Sequence, residues 1–449
     1  MLKRFAVLGI FVFALQACST KSEYKTFLHD PLLYSNTVHE LNTVVMGNNF
    51  PPMVASRNYA YAAIAAYEVM AAANADKYES LGGQLNGLST LKLPAIHPEA
   101  DWQLAALMSY MKVGESVTFP EGSMKAYEDS ILTLARKKGL PKSVEAASRE
   151  FADSVSAAII RWSKKDNYLQ TRGAEKYTVT DEPGRWVPTP PMYATAAEPH
   201  WMEIRTMVID SASIYEPAPP PAFNIKDKNS KYYQEVIAIK NAIDSLTPEQ
   251  KHIAEFWDDN PFKMNVTGHV MFGSKKFSPP GHWMSVVGIA AKQAKSDYPE
   301  TIYATAKTAI ALFDAFIQCW YVKYKYNTVR PETVINQYID INWRPYLQTP
   351  AFPEYTCGHS TISSAAAEAL TSVYGDNFAY TDSTELEFGI ANRSFKSFRH
   401  AAEENNWARF YGGLHFHNSC IISTDIGQKV GGHIAKKLRM KKEISSSQN

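Results

Sequence analysis

Apolar side chains recur at helical spacing through most of this chain. Residues 53–76 form the clearest case, because the segment is rich in alanine and carries aromatic residues at helical spacing. Thr247 is a candidate N-cap for a helix that starts at Pro248, and Gln250 completes a capping box. Further helices are predicted over residues 102–112, 123–138, 144–164, 232–246, 248–257, 283–294, 302–326, 359–374, 386–404 and 419–440. Strand signals are few, so the sequence predicts an all-α fold, a large helical bundle.

The first residues have the pattern of an export signal. Lys3 and Arg4 precede an apolar run over 5–15 that is too short to span a bilayer. The following Leu-Gln-Ala-Cys resembles the cleavage site of bacterial lipoproteins, which predicts a signal peptide over 1–17 and lipidation of Cys18. An ordinary signal peptide with a chance cysteine is the alternative. We therefore expect an exported lipoprotein, anchored at the outer membrane on its periplasmic or surface face.

The remaining chain is predicted to be a single domain. A lipidated tether is expected over 18–30, one α-helical domain over 31–440 and a disordered tail over 441–449. Proline-rich stretches at 183–199 and 216–221 also carry aromatic residues, which favours ordered, extended coverings over the bundle rather than a flexible linker. No stretch after the signal looks like a membrane span.

Charge and cysteine content exclude several classes of protein. The net charge of the 449 residues is +1, which does not suggest a nucleic-acid partner or a broad anionic-membrane surface. Besides Cys18 there are three cysteines, Cys319, Cys357 and Cys420, so lipidation leaves at least one unpaired and the fold is not built on disulfides. No Cys/His spacing is typical of a zinc site.

Three short segments carry the chemistry. Lys323 precedes Arg330 and Pro331 by about two helical turns, so both cations can face the same side. Gly358 and His359 follow an extended segment at the start of a helix, where free N–H groups favour anions. Arg409 lies before a Gly-Gly turn that leads to His415. The three segments therefore span residues 323–331, 358–359 and 409–415.

Each segment alone also has a plain structural interpretation. Lys323 and Arg330 could be solvated cations at a helix C-terminus. A Gly-His pair is weak evidence, and His415 could be a core histidine beside a surface turn. Combined, the cationic side chains, the free N–H groups and the two histidines are what a tetrahedral oxyanion site requires.

In this order, the pattern K-x6-R-P, G-H and R-x3-G-x-H resembles one superfamily. That superfamily contains the vanadium-dependent haloperoxidases, the type-2 phosphatidic acid phosphatases and the bacterial acid phosphatases. The flanking sequence resembles bacterial vanadium haloperoxidases, of the iodoperoxidase-like branch, over nearly the full length. The segments that carry this likeness are 48–72, 186–191, 199–201, 280–283 and 350–355.

The resemblance implies a role for each residue of the pattern. His415 would bond vanadium, and His359 would be the acid/base that takes a proton from hydrogen peroxide. Lys323 would also polarise the bound hydrogen peroxide. Vanadate, one per subunit, would be held by Lys323, Arg330, Cys357, Gly358, His359, Arg409 and His415. The catalytic residues implied are thus His359, Lys323 and His415.

Two positions depart from the family pattern. Cys357 stands where serine is usual, and a thiol is the weaker hydrogen-bond donor and is oxidisable. Ser419 stands four residues after His415, where many relatives have an aspartate that orients the histidine. Another residue is therefore expected to hold the His415 tautomer.

The resemblance implies oxidation of halide by hydrogen peroxide, with iodide preferred. An acid phosphatase that uses the same pocket, with His415 as nucleophile, is the main alternative. A lipoprotein that binds an oxyanion without turnover is the second. Other acidic and histidine residues are predicted to be structural: His252, Glu255, Asp258 and Asp259 on a solvated helix face, and His282 packed near the mouth of the site, with a supporting role behind the site residues as its alternative.

Overall fold

The computed structural model describes residues 23–118, 122–267 and 269–442. The predicted signal peptide over 1–17 and the predicted lipidation site, Cys18, lie outside these residues, as does most of the predicted tail. Helical residues 23–28 (α1) come first. The other helices are α2 (Pro31–Gly47), α3 (Pro52–Ala73), α4 (Trp102–Val117), α5 (Ser123–Lys137), α6 (Lys142–Ser163), α7 (Tyr168–Thr171), α8 (Lys231–Asp244), α9 (Pro248–Phe256), α10 (Pro279–Ala294), α11 (Tyr298–Tyr326), α12 (Pro331–Tyr338), α13 (Gly358–Tyr374), α14 (Phe398–Tyr411) and α15 (His417–Lys437).

The all-α prediction is confirmed, and three central helices explain why the bundle holds together. α11 packs against both α3 and α13. α4 packs against α3, and α15 packs against α13. Side chains of α3 are buried from Met53 to Ala71 on every face. A helix that is buried on every face must lie inside a bundle, so α3 belongs to the core.

Strands are short in the described part of the chain. β1 (Lys263–Thr267) and β2 (Val270–Ser274) form one antiparallel hairpin, and β3 (Tyr380–Asp382) pairs with β4 (Arg393–Phe395). The capping box predicted at Thr247 is present, with Gln250 in return bonding the Thr247 backbone. None of the described helices is both long and apolar enough to cross a membrane.

The predicted helix over 386–404 is wrong. A 3-10 helix (Thr384–Phe388) ends at Gly389, whose φ is 78°, and β4 precedes α14. α14 instead begins after Ser397, whose side chain accepts from the His400 N–H. A left-handed glycine and a serine N-cap both interrupt a helix, and the apolar spacing across them belongs to separate elements.

The predicted tether over 18–30 is also too long. Residues 23–28 are helical, and Tyr24 and Leu28 are buried in the main core. α2 and α12 were not predicted, although each starts at a proline in its first turn. Of the predicted tail, Lys441 forms a β-bridge with Tyr78 instead of being disordered.

Both proline-rich stretches pack on the bundle. Trp186 is fully buried, and its backbone N–H donates to the Asn327 carbonyl. In the second stretch, the Ala218 carbonyl accepts from the Tyr355 hydroxyl and Glu216 accepts from the Tyr326 hydroxyl. They are the extended coverings that were predicted.

Candidate active site

Lys323 and Arg330 are completely buried, which excludes the solvated-cation interpretation. α11 ends at Tyr326, and Arg330 is the N-cap of α12, so both side chains enter the bundle from one connection. Lys323 Nζ donates to the Pro353 carbonyl at 2.7 Å and to the Glu354 carbonyl at 3.1 Å. Arg330 Nε donates to the Phe352 carbonyl at 2.8 Å. Two buried cations thus hold the extended segment that leads into α13.

Gly358 and His359 form the first turn of α13. Cys357 is the N-cap, and its side chain makes no capping bond to the helix. Its own N–H donates to Ser423 Oγ at 2.8 Å, which ties the turn to α15. The first N–H groups of an α-helix lack partners inside the helix, so this end of α13 can bind an anion.

Arg409 and His415 are brought together by the turn that follows α14. Gly413 has a φ of 78°, and a β-carbon there would lie 2.9 Å from the side chain of Pro345. Glycine is therefore required for the chain to reverse and bury His415. Arg409 Nη1 donates to the Trp257 carbonyl at 2.9 Å, which places this guanidinium beside the loop after α9. His417 instead stacks on Trp407, with 4.1 Å between ring centroids.

His415 has a defined orientation because of Glu354. His415 Nδ1 lies 3.0 Å from Glu354 Oε1, and Glu354 Oε1 also accepts from the Phe416 N–H at 3.3 Å. A carboxylate can only accept, so Nδ1 carries the proton and Nε2 keeps its lone pair. Nε2 faces Arg330 Nη1 at 3.1 Å.

Glu354 is the orienting residue that the sequence left unidentified. Ser419 does not take this role, because its Oγ has no hydrogen-bond partner among the described residues. The one indication of this role in the sequence is that Glu354 lies in the extended segment before Gly358. Its spacing does not link it to His415, which lies 61 residues further along the chain.

Several buried polar atoms of the pocket have no partner within the described chain. They are Arg330 Nη2, Arg409 Nε and His359 Nε2. Orphaned donors of buried cations are rare in folded proteins, because each costs roughly 1–3 kcal/mol. Two free guanidinium N–H groups, the start of α13 and a free histidine nitrogen fit a tetrahedral oxyanion, so the residues present suit vanadate or phosphate.

Burial sets the charge of the pocket. It lowers the pKa of Lys323 to about 8 and that of Arg330 to about 10. Burial and the charge of Arg409 hold the pKa of His359 well below its usual range, so this ring is neutral and can accept a proton. The site therefore combines fixed cations with a neutral base.

Cys357 contacts a second thiol and the vanadium-ligand candidate. Its side chain bonds the thiol of Cys420 and the ring of His415. Burial would raise the pKa of the Cys357 thiol, but the hydrogen bond from the Cys420 thiol opposes burial and the pKa is lowered. No disulfide is formed by Cys319, Cys357 or Cys420, all of which are buried.

A cavity of about 750 Å³ opens onto His359 and Arg409. Its wall is mainly apolar and includes Pro52, Met192 and Phe352, so the proline-rich stretch near residue 190 forms part of the mouth. Asp258 and Asp259 also line it and are buried, with exposed fractions of 3% and 1%. The prediction that these two aspartates lie on a solvated helix face is wrong, because they follow the end of α9 and point inward.

Comparisons with known proteins place the chain in a family. A family model for the VCPO second helical-bundle domain matches residues 303–342 and 336–443. The chain resembles the crystal structure described as the first bacterial vanadium-dependent iodoperoxidase, with a TM-score of 0.86 and 40% identity. That match covers 92% of this chain and 98% of the other. No curated protein matches.

More distant structures share the fold. A holo-type bacterial vanadium-dependent chloroperoxidase matches with a TM-score of 0.62 at 17% identity, over 87% of this chain and 93% of that one. The apo-type structure of a bacterial vanadium-dependent chloroperoxidase matches with a TM-score of 0.63 at 16% identity, over 87% of this chain and 95% of that one. From the 40% identity over nearly its whole length, the chain belongs to the vanadium haloperoxidase family.

Proposed function

We propose that this protein uses vanadate to oxidise halide with hydrogen peroxide, iodide being the preferred halide. Halide, hydrogen peroxide and one proton give hypohalous acid and water. The observation that carries the proposal is the set of unpaired atoms Arg330 Nη2, Arg409 Nε and His359 Nε2, beside His415, whose Nε2 lone pair faces Arg330 Nη1. Bound vanadate would supply Lewis-acid chemistry that makes hydrogen peroxide electrophilic towards halide.

The residues of the pocket divide this work. Arg330, Arg409 and the Gly358 N–H hold the anion's oxygens, and His415 Nε2 is the candidate vanadium ligand. Neutral His359 accepts the proton that hydrogen peroxide loses. Lys323, fixed by two carbonyls, keeps a positive charge beside the reacting oxygen.

Two observations support iodide over the other halides. The relative at 40% identity is described as an iodoperoxidase. Cys357 replaces the usual serine with a weaker donor, which leaves the anion less polarised. Iodide is the halide that is easiest to oxidise, so a less activating pocket suits it best.

One experiment separates the candidate activities. The apoprotein is assayed for iodide oxidation by hydrogen peroxide with and without orthovanadate, and for hydrolysis of a phosphate monoester. We expect vanadate-dependent iodide oxidation that is lost in His415→Ala. Hydrolysis of the ester without activation by vanadate would identify a phosphatase, and anion binding with neither activity would identify a binding protein.

We also propose that the chain is exported and anchored through Cys18. The apolar run before Leu-Gln-Ala-Cys supports this proposal. Labelling of cells with a palmitate analogue should mark the wild-type protein and not Cys18→Ser. Labelling of both proteins, or of neither, would contradict a lipid anchor at this residue.

A further inference from the structure

His282 lies at the centre of a buried charged cluster beside the anion pocket. The residue is in the first turn of α10 and is completely buried. Its Nδ1 lies 2.9 Å from Asp259 Oδ1, and its Nε2 lies 2.9 Å from Asp382 Oδ2. The ring also stacks on Trp257, with 4.6 Å between centroids. His282 therefore connects the loop after α9 with β3.

Both ring nitrogens of His282 act as donors. A carboxylate accepts but cannot donate, so an imidazole between Asp259 and Asp382 carries both protons and a positive charge. Glu385 adds a third carboxylate, 3.8 Å from Nδ1, and is itself 3.2 Å from Lys276 Nζ. Such a group of carboxylates is costly to bury unless cations compensate it.

This arrangement does not favour a metal ion. Asp259, His282 and Glu385 lie close enough to share a cation. A histidine ligand needs a free lone pair, however, and both nitrogens of His282 are already engaged. The imidazolium and Lys276 are the positive charges that this cluster uses.

The cluster is joined to the anion pocket by a short peptide segment. Asp259 follows Trp257 and Asp258, whose carbonyls accept from Arg409 Nη1 at 2.9 Å and 3.4 Å. The main chain of Asp258 also hydrogen-bonds the ring of His359. Asp259 has a φ of 44°, a left-handed conformation that a residue with a side chain rarely adopts. Such strain persists only where neighbouring bonds hold the residue in place.

We infer that His282 is a positioning residue for the anion pocket, bonding Asp259 on one side and Asp382 on the other. It thereby fixes the carbonyls of Trp257 and Asp258, which orient Arg409 and His359 towards the anion. The ring itself touches neither substrate nor anion. This inference deepens the proposed function and rests on that function for the identity of the anion, vanadate.

The test measures anion affinity apart from fold stability. His282→Gln can donate to one carboxylate but not to both, and Asp382→Asn keeps the side-chain shape while removing one charge. The control is Asp166→Asn, because Asp166 is a buried aspartate paired with Arg57 at 2.7 Å in another part of the bundle. Orthovanadate binding to each apoprotein is measured by calorimetry, and each melting temperature is recorded.

We expect His282→Gln and Asp382→Asn to weaken orthovanadate binding at least tenfold. Asp166→Asn should lower the melting temperature but leave the dissociation constant within twofold of wild type. If His282→Gln does not fold, the orthovanadate affinity of Asp382→Asn alone tests the inference. An unchanged dissociation constant in the folded cluster variants, or an equal loss in Asp166→Asn, would overturn the inference.

Failure of the proposed function would look different. A wild-type protein that binds orthovanadate, shows these variant losses and leaves iodide unoxidised would contradict the peroxidase proposal alone. Inorganic phosphate serves as a second probe, and the same order of affinities is expected because the carbonyls position Arg409 for any tetrahedral anion.

Discussion

Glu354 Oε1 lies 3.0 Å from His415 Nδ1, across 61 residues of sequence. Lys323, which donates to the Glu354 carbonyl, and Arg330, which donates to the neighbouring Phe352 carbonyl, fix the backbone around this glutamate. The two cations that we propose to bind the anion therefore also fix the backbone of the residue that orients the candidate vanadium ligand. Loss of any of these bonds affects the position of His415.

Glu354→Gln should weaken orthovanadate binding by about 10–100-fold, the range seen when a partner that orients a metal ligand is lost. The amide is a weaker acceptor for the His415 N–H, so the Nε2 lone pair is less well directed. Phosphate affinity should change much less, because phosphate forms no bond to Nε2. Calorimetry with both anions tests this.

The control for that variant is Glu68→Gln. Glu68 is a buried glutamate that accepts from Ser80 Oγ and from the Leu81 N–H, away from the pocket. Its replacement should lower the melting temperature and leave both affinities unchanged. Equal losses for vanadate and phosphate in Glu354→Gln would show that Glu354 acts through the whole pocket instead of through His415.

Arg330→Lys should reduce orthovanadate affinity at least tenfold. Lysine has one point charge, and it cannot bond the Phe352 and Leu414 carbonyls while also presenting a free N–H as Arg330 Nη2 does. Arg57→Lys is the matched control, since Arg57 is a buried arginine paired with Asp166. If Arg330→Lys loses stability but binds orthovanadate as tightly as wild type, Arg330 does not bind the anion.

Cys357→Ser should bind orthovanadate as tightly as wild type or up to about tenfold more tightly. Serine is the better donor, and it stays neutral at a position where the hydrogen bond from the Cys420 thiol lowers the pKa of the Cys357 thiol, whose anion would repel the bound oxyanion. Cys319→Ser, at another buried thiol, is the control. A large loss of affinity would mean that the thiol has a role of its own.

Phosphate binding to the apoprotein should weaken as the pH rises above about 8. Burial lowers the pKa of Lys323 to about 8, so above this pH the amine loses the charge that attracts the anion. Calorimetric dissociation constants between pH 7 and pH 9.5 test this, with Lys323→Met as the reference. If the dissociation constants of wild type and Lys323→Met change equally with pH, a group other than Lys323 causes the change.

Local spacing was sufficient to find the residues that the structure brings together in the candidate anion pocket. Lys323 and Arg330 follow one helix and its connection, and Gly358 and His359 are adjacent in sequence. Arg409 and His415 flank a glycine turn. These are short-range relationships, so a pattern of residue types at fixed offsets can specify them.

Residues that support the site could not be found in the same way. Glu354 meets His415 and Asp259 meets His282 only because segments that are distant in the sequence pack together. The same limit applies to elements, because α12 has eight residues and is too short for a clear apolar period. Tertiary packing decides such features, and a single sequence does not reveal the partners.

The contribution of His282 to stability should be greatest at low pH. Burial alone would lower its pKa, but Asp259 and Asp382 outweigh burial and hold the pKa well above its usual range. A raised pKa in the folded state means that the stabilisation is complete below about pH 6.5, the unfolded value, and decreases as the pH rises through the folded value. The difference in melting temperature between wild type and His282→Gln should therefore be largest near pH 6 and smaller at pH 9. A difference in melting temperature that grows with pH would show that the His282 ring is neutral. In that case either Asp259 or Asp382 would carry the proton that it shares with the ring.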